Sequence, residues 1–198
     1  VNFKLQALPQ LNLAIFASGS GTNAEAIISH FKGHSKIQVK LVVTNKKEAG
    51  IWKVADRNQV PCYHAKKSTL YESNDIVTLL KEKHINWIIL AGFLLKIPKN
   101  ILEAYPNEII NIHPALLPKF GGKGMYGMHV HKAVVEANEK ETGITIHKVN
   151  ENYDEGAIIS QFSTAVHPDD TPEDVQQKVQ QLEHKHFPRE IEKHLLNL

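Results

Sequence analysis

A chain of 198 residues, 42% hydrophobic and 22% charged, is sized for one globular domain with a real core. Its net charge of +2, with 23 Lys and Arg scattered among 21 Asp and Glu, offers no basic stripe for nucleic acid but leaves a small anionic ligand open. Cys62 is the only cysteine, so no intramolecular disulfide can form and a reducing, cytoplasmic setting is expected; no apolar run approaches the roughly 20 residues of a membrane span, and VNFKLQALPQ lacks the regions of an export signal.

Short apolar runs rich in β-branched residues fall at 11–17, 37–44, 61–65, 86–92 and 108–113. Between them lie segments of helical period at 22–32, 48–58, 70–84 and 98–105. This alternation belongs to a mostly parallel sheet buried under helices on both faces. The expected architecture is a single doubly wound, Rossmann-like α/β domain over 1–198, with 1–10 as an N-terminal extension.

After His113 the pattern changes. The segment PALLPKFGGKGMYGM, 114–128, carries two prolines and four glycines, too many for helix or strand, and reads as a long loop beside a strand end. A helix is expected at 129–140, then strands at 144–149 and 157–166 joined by NENYDEG as an antiparallel pair. Thr171 and the following Pro-Glu-Asp start a last helix running to about Leu196.

Three stretches carry chemistry. SGSGTN, Ser18 to Asn23, follows the first strand and opens the first helix, where glycines bring backbone N–H groups to an anion and the helix end adds partial positive charge. Gly19 to Ala24 satisfies the G-x-G-x-x-A form of a dinucleotide fingerprint, yet the second strand ends in Thr44-Asn45-Lys46-Lys47 without the acid that holds a ribose, and no Lys-Ser/Thr makes a Walker loop. The loop fits a phosphate cradle from Gly21, Thr22 and Asn23, or equally a tight turn in which Thr22 or Asn23 caps the helix. NIHPALLP, 111–118, ends a greasy strand with Asn111 and His113 on one face, a hydrogen-bond donor beside a group that titrates near neutrality. NENYDEG brings Asp154 as the acid to hold the imidazole and raise its pKa, or as a turn residue before Gly156. The 12 histidines include His129-Val130-His131 and His184-Lys185-His186, but neither pair has a third ligand at diagnostic spacing, so no metal is expected.

Together SGSGTN, LAGF (90–93), NIHPALLPKF (111–120), HVHKAVVE (129–136), TGITIH (142–147), YDEGAII (153–159) and LEHKHFP (182–188) resemble the phosphoribosylglycinamide formyltransferases, within the wider group of 10-formyltetrahydrofolate enzymes. The resemblance implies one formyltransferase domain that moves the formyl group of 10-formyltetrahydrofolate, a co-substrate, to the amine of 5-phosphoribosylglycinamide (GAR) in purine biosynthesis. It makes Asn111, His113 and Asp154 catalytic, and gives the phosphate to Gly21, Thr22 and Asn23. It assigns the ribose to Glu183 with Gly92 allowing close approach, and the folate to Leu94, Leu95, Lys96, Ile97 and Asn111, with His129 secondary. Relatives carrying an added nucleic-acid-binding barrel or regulatory domain are longer than this chain. Leu95 stands where the family often has Arg, so a cation for the glutamate tail would come from Lys96, Lys66 or Lys67. Lys148 replaces a common aromatic or apolar residue, and the GGKGMYGM loop is longer than in some relatives. Small-molecule substrates and a monomer or homodimer are implied. Alternatives are a formyltransferase for another amine, such as an amino sugar nucleotide, and a non-catalytic nucleotide-binding module.

Overall fold

The computed structural model describes residues 10–197, so the expected 1–10 extension lies outside them except for Gln10. The elements run β1 (Leu11–Phe16), α1 (Thr22–His30), β2 (Ile37–Thr44), α2 (Ile51–Arg57), β3 (Cys62–His64), α3 (Lys67–Tyr71) and α4 (Asp75–Glu82). They continue as β4 (Trp87–Leu90), α5 (Lys99–Ala104), β5 (Ile109–His113), α6 (Met128–Glu136), β6 (Glu141–Lys148), β7 (Ile158–Ala165) and α7 (Pro172–Leu196). The strands form one sheet in the order β3-β2-β1-β4-β5-β6-β7. The first five are parallel, whereas β6 pairs antiparallel with both β5 and β7.

Period-two alternation divides the core between two faces. Leu13, Ile15, Ile89, Ile110 and Ile112 pack with α1, α2, α6 and α7, while Ala14, Phe16, Ile88, Leu90 and Ile109 pack with α3, α4 and α5. Both faces are covered, which is why the central strand β4 reads as an unbroken apolar run, Trp87-Ile88-Ile89-Leu90.

The helix expected over 70–84 is two helices. Ser73 Oγ donates to the Thr69 carbonyl at 3.1 Å and accepts from Asp75 N–H at 3.3 Å, and Asn100 Nδ2 donates to the Ser73 carbonyl at 3.0 Å. Side-chain bonds of this kind compete with the helical ladder and break it. The last helix begins as expected: Thr171 and Asp174 form a capping box and Pro172 occupies the first turn. Its buried stripe is Val175, Val179, Glu183, Phe187, Ile191 and Leu195, a four-residue repeat interrupted by one acid.

Register places the functional strand end. Asn111 lies opposite His147 and His113 opposite Thr145, so these four side chains share a face. Because β6 runs antiparallel, Lys148 finishes opposite Ile110, below the level of His113, and the segment after it must fold back to reach that level. Gly156 makes the return possible: a Cβ there would lie 1.7 Å from the Lys148 carbonyl oxygen. Gly156→Ala is expected to lower stability by about 2–3 kcal/mol, the cost of an overpacked contact that backbone cannot avoid, read as a fall in the urea midpoint at constant m-value.

Candidate active site

A cleft of about 680 Å³ opens over the C-terminal ends of β1, β4 and β5, the usual ligand position in a parallel sheet. Its walls are Ser18–Asn23, Leu90–Ile97, Asn111–Pro114, the glycine loop at 122–127, the segment 149–154 without Glu151, and one side of α7 from Gln176 to Glu183. Ser18 ties three strand ends together, donating to Asn45 Oδ1 at 2.5 Å and accepting from Leu94 N–H at 2.9 Å.

Among the lining residues, Gly21 is the N-cap of α1, with φ +86° and no side-chain cap. A Cβ at this position would come within 2.8 Å of Ile51 Cδ1, so both the turn and the packing of α1 on α2 require glycine. Thr22 and Asn23 are the first residues of the helix and do not cap it. Asn23 instead turns its amide to Glu183, Nδ2 donating to Oε2 at 2.8 Å, while its Oδ1 is buried and unpartnered. Burial pushes the Glu183 carboxyl up to about 7, against the opposing pull of the Asn23 hydrogen bond. Lys46 also lines the cleft.

Leu94, Leu95, Lys96 and Ile97 all line the cleft after β4, and Gly92 faces open space there. Lys96 holds its Nζ 5.4 Å from the centre of the Tyr153 ring, and its carbonyl accepts from Tyr71 OH at 2.7 Å. Lys66 and Lys67 begin α3 and do not line the cleft, so of the three cations expected for the glutamate tail only Lys96 does.

Asn111, His113, His147 and Asp154 line the same cleft as one cluster. His113 Nε2 donates to the Phe120 carbonyl at 2.7 Å, and Nδ1 lies 3.6 Å from Asp154 Oδ2. A carbonyl only accepts, so Nε2 carries a proton and Nδ1 is the nitrogen that gains and loses one. Asp154 Oδ2 accepts from Gly122 N–H at 2.9 Å, and Oδ1 lies 3.6 Å from His147 Nε2. Asn111 Nδ2 stands 3.0 Å from the same His147 nitrogen.

Burial alone would raise the Asp154 carboxyl, but His147, His113 and the Gly122 N–H together outweigh it and hold the group below its ordinary value. For His113 the balance is the reverse of the expected one. Burial lowers its pKa by more than Asp154 and the Phe120 carbonyl raise it, and His147 lowers it further, so the ring is neutral at physiological pH.

The structure also corrects the reading of the HVH pair. His129 packs edge-on against Tyr126 at 5.3 Å and does not line the cleft, whereas His131 does. His131 is 3% exposed, and burial followed by the nearby His113 pushes it down to about 4. His147 was given no role from the sequence; its opposition to Asn111 depends on strand register, which a motif scan does not contain. Among the described residues, no group of three or more His, Cys, Asp or Glu is placed to hold a metal ion, and no helix is long and apolar enough to cross a membrane.

The fold and the site together define a doubly wound α/β domain with an amide, an imidazole and a carboxylate gathered beside the end of β5, in a cleft shared with an uncapped helix terminus and a largely apolar wall. The chain belongs to the formyl transferase family, whose model matches residues 11–191. It is 42% identical to a chloroplastic phosphoribosylglycinamide formyltransferase of Arabidopsis thaliana over 87% of this chain, which spans 61% of the plant protein's length. It is 36% identical to the phosphoribosylglycinamide formyltransferase of Bacillus subtilis, covering 93% of this chain and 94% of that protein. The crystal structure of the Bacillus halodurans phosphoribosylglycinamide formyltransferase superposes with a TM-score of 0.84 at 38% identity, covering 93% and 95% of the two chains.

The depressed His131 gives a pH signature. An unfolded chain takes up a proton at this residue below about 6.5 that the folded protein refuses until about 4, so stability falls as pH drops through that interval. His131→Gln is expected to remove up to about 3 kcal/mol of that pH dependence, measured by urea unfolding at steps across the window.

Proposed function

We propose that the protein transfers the formyl group of 10-formyltetrahydrofolate to the amine of 5-phosphoribosylglycinamide, producing formyl-GAR and tetrahydrofolate in purine biosynthesis. The observation that carries this reading is that Asn111, His113 and Asp154 line one cleft together with the uncapped terminus of α1, the Asn23–Glu183 pair and the Leu94–Ile97 wall. A ribose phosphate and a flat folate held side by side in that cleft would have these three residues within reach.

The phosphate is assigned to backbone N–H groups of Gly21, Thr22 and Asn23, where the helix end favours an anion. Glu183 takes the ribose hydroxyls, and Gly92 leaves space for close approach. Leu94, Leu95, Lys96 and Ile97 receive the folate, with Lys96 nearest a tail carboxylate. The amine attacks the formyl carbon and charge gathers on the formyl oxygen. Asn111 donates an N–H to that oxygen, a form of stabilisation whose strength comes from being in place before the charge develops. His113 is neutral before reaction and can accept the amine proton at Nδ1, where Asp154 stabilises the resulting cation and steers transfer to the folate nitrogen as it leaves. We further take the chain to act as one formyltransferase domain over 1–198 in the cytoplasm, on small molecules and not nucleic acid, as a monomer or homodimer.

The test is release of tetrahydrofolate from 10-formyltetrahydrofolate with and without GAR. Release that requires GAR is expected; release without it, or none in either case, overturns the assignment, and activity with an amino sugar nucleotide in place of GAR would redirect it to that substrate class. Asn111→Ala should lower kcat by about 100- to 1000-fold with little change in KM for GAR, because the lost contact forms in the transition state. Glu183→Ala should instead raise KM for GAR by about tenfold or more, the loss of a charged hydrogen bond to the bound substrate.

A further inference from the structure

We propose that His147 is a positioning residue that fixes which way the Asn111 carboxamide faces; its catalytic consequence rests on the formyl-transfer reading above. Lys148 O lies 2.8 Å from His147 Nδ1, and since a carbonyl can only accept, Nδ1 carries the hydrogen. In a neutral imidazole the other nitrogen, Nε2, then presents only a lone pair. That lone pair points at the Asn111 amide, 3.0 Å away.

An amide placed there must turn its NH2 group toward the ring. The flipped amide would set its oxygen against the nitrogen lone pair, two acceptors without a hydrogen between them. His147 is 2% exposed, so no bulk water compensates for that mismatch, and the penalty for an unpaired buried acceptor falls on the flipped state. Asp154 Oδ1 approaches the same nitrogen, but at 3.6 Å it is beyond hydrogen-bond range, and Asn111 closes the contact. One N–H of Asn111 is thereby committed to His147. The second is held in the amide plane, available for the formyl oxygen.

The sheet enforces this chain of bonds. Asn111 and His147 are directly paired across β5 and β6, so their side chains rise from one face with no loop between them to relax. A bond at the edge of the backbone, Lys148 O to Nδ1, is thus relayed through one ring into the orientation of a catalytic amide.

Two measurements test the inference. In protein labelled with nitrogen-15 on histidine and asparagine, His147 should show a protonated Nδ1 and an unprotonated Nε2 at neutral pH, with one Asn111 side-chain N–H bonded to that Nε2. The opposite tautomer, or a doubly protonated ring, overturns the proposal whether or not the protein transfers formyl groups. In kinetics, His147→Leu removes the acceptor and should lower kcat by at least about tenfold, toward the loss expected on removing the donor itself, with KM for GAR nearly unchanged. His147→Gln keeps an acceptor and should recover most of that rate. Added to Asn111→Ala, His147→Leu should cost less than about a further twofold, since residues acting through one contact are not additive. A full further loss in the double variant, or equal losses for Gln and Leu, shows that His147 does not act through Asn111. Wild-type protein that releases no tetrahydrofolate would defeat the functional reading and leave the tautomer measurement to decide this one.

Discussion

The carboxylate of Asp154 gathers groups from three separate stretches of chain: His113 from the end of β5, His147 from β6, and the backbone N–H of Gly122 from the glycine loop. Taking a carboxylate out of water is costly unless its charge is met; here the Gly122 N–H meets it directly, and the His113 and His147 rings stand 3.6 Å from its two oxygens. The arrangement sets the path of the chain around it. The segment after β6 begins below the level of His113 and must climb back, which the close approach of Gly156 to the Lys148 carbonyl allows. Asp154 itself takes a left-handed backbone conformation, φ +56°, which an aspartate tolerates better than most side chains. The glycine loop is drawn down onto the same carboxylate, and the Phe120 carbonyl then closes over His113. The long loop is in this way folded over the strand end it follows.

Two parts of the cleft lining differ in chemistry. The part around Gly21 is polar and built from backbone, with an uncapped helix terminus beside a buried Asn23–Glu183 pair. An acid raised to about 7 sits poised between its charged and neutral forms, and the unpartnered Asn23 Oδ1 beside it leaves polar capacity for a ligand. The part after β4 is mostly apolar and follows from the chain leaving that strand as Leu94-Leu95-Lys96-Ile97, with the amine of Lys96 near the Tyr153 ring. His113 and His131 line the same cleft as neutral rings, so they add little fixed positive charge to it before a substrate enters.

The doubly wound core was legible because buried parallel strands leave long β-branched runs, such as IQVKLVVT, that no amphipathic helix imitates. The two antiparallel strands were legible from NENYDEG lying between alternating segments. Where the reading failed, the deciding contact came from far along the chain. The break at Ser73 is held by Asn100, and the exchange of His129 for His131 depends on which side of α6 meets the sheet. The sign of the His113 shift was misjudged because the sequence names the neighbouring acid but not the burial that outweighs it. His147 escaped for a related reason: TGITIH was visible as a motif, but only register sets its last residue against Asn111. Glu183 had a purely local signal, as the one acid in a four-residue apolar repeat along α7.

Everything proposed for this cleft turns on its holding two ligands together at Asn111, His113 and Asp154 for direct transfer of one carbon. The most direct measurement supplies 10-formyltetrahydrofolate labelled with carbon-13 in the formyl group together with GAR, and follows the label by mass spectrometry. The account predicts the label on the glycinamide nitrogen in amounts equal to the tetrahydrofolate released. Label appearing as free formate, with GAR unchanged, would contradict it and make the cleft a hydrolytic site.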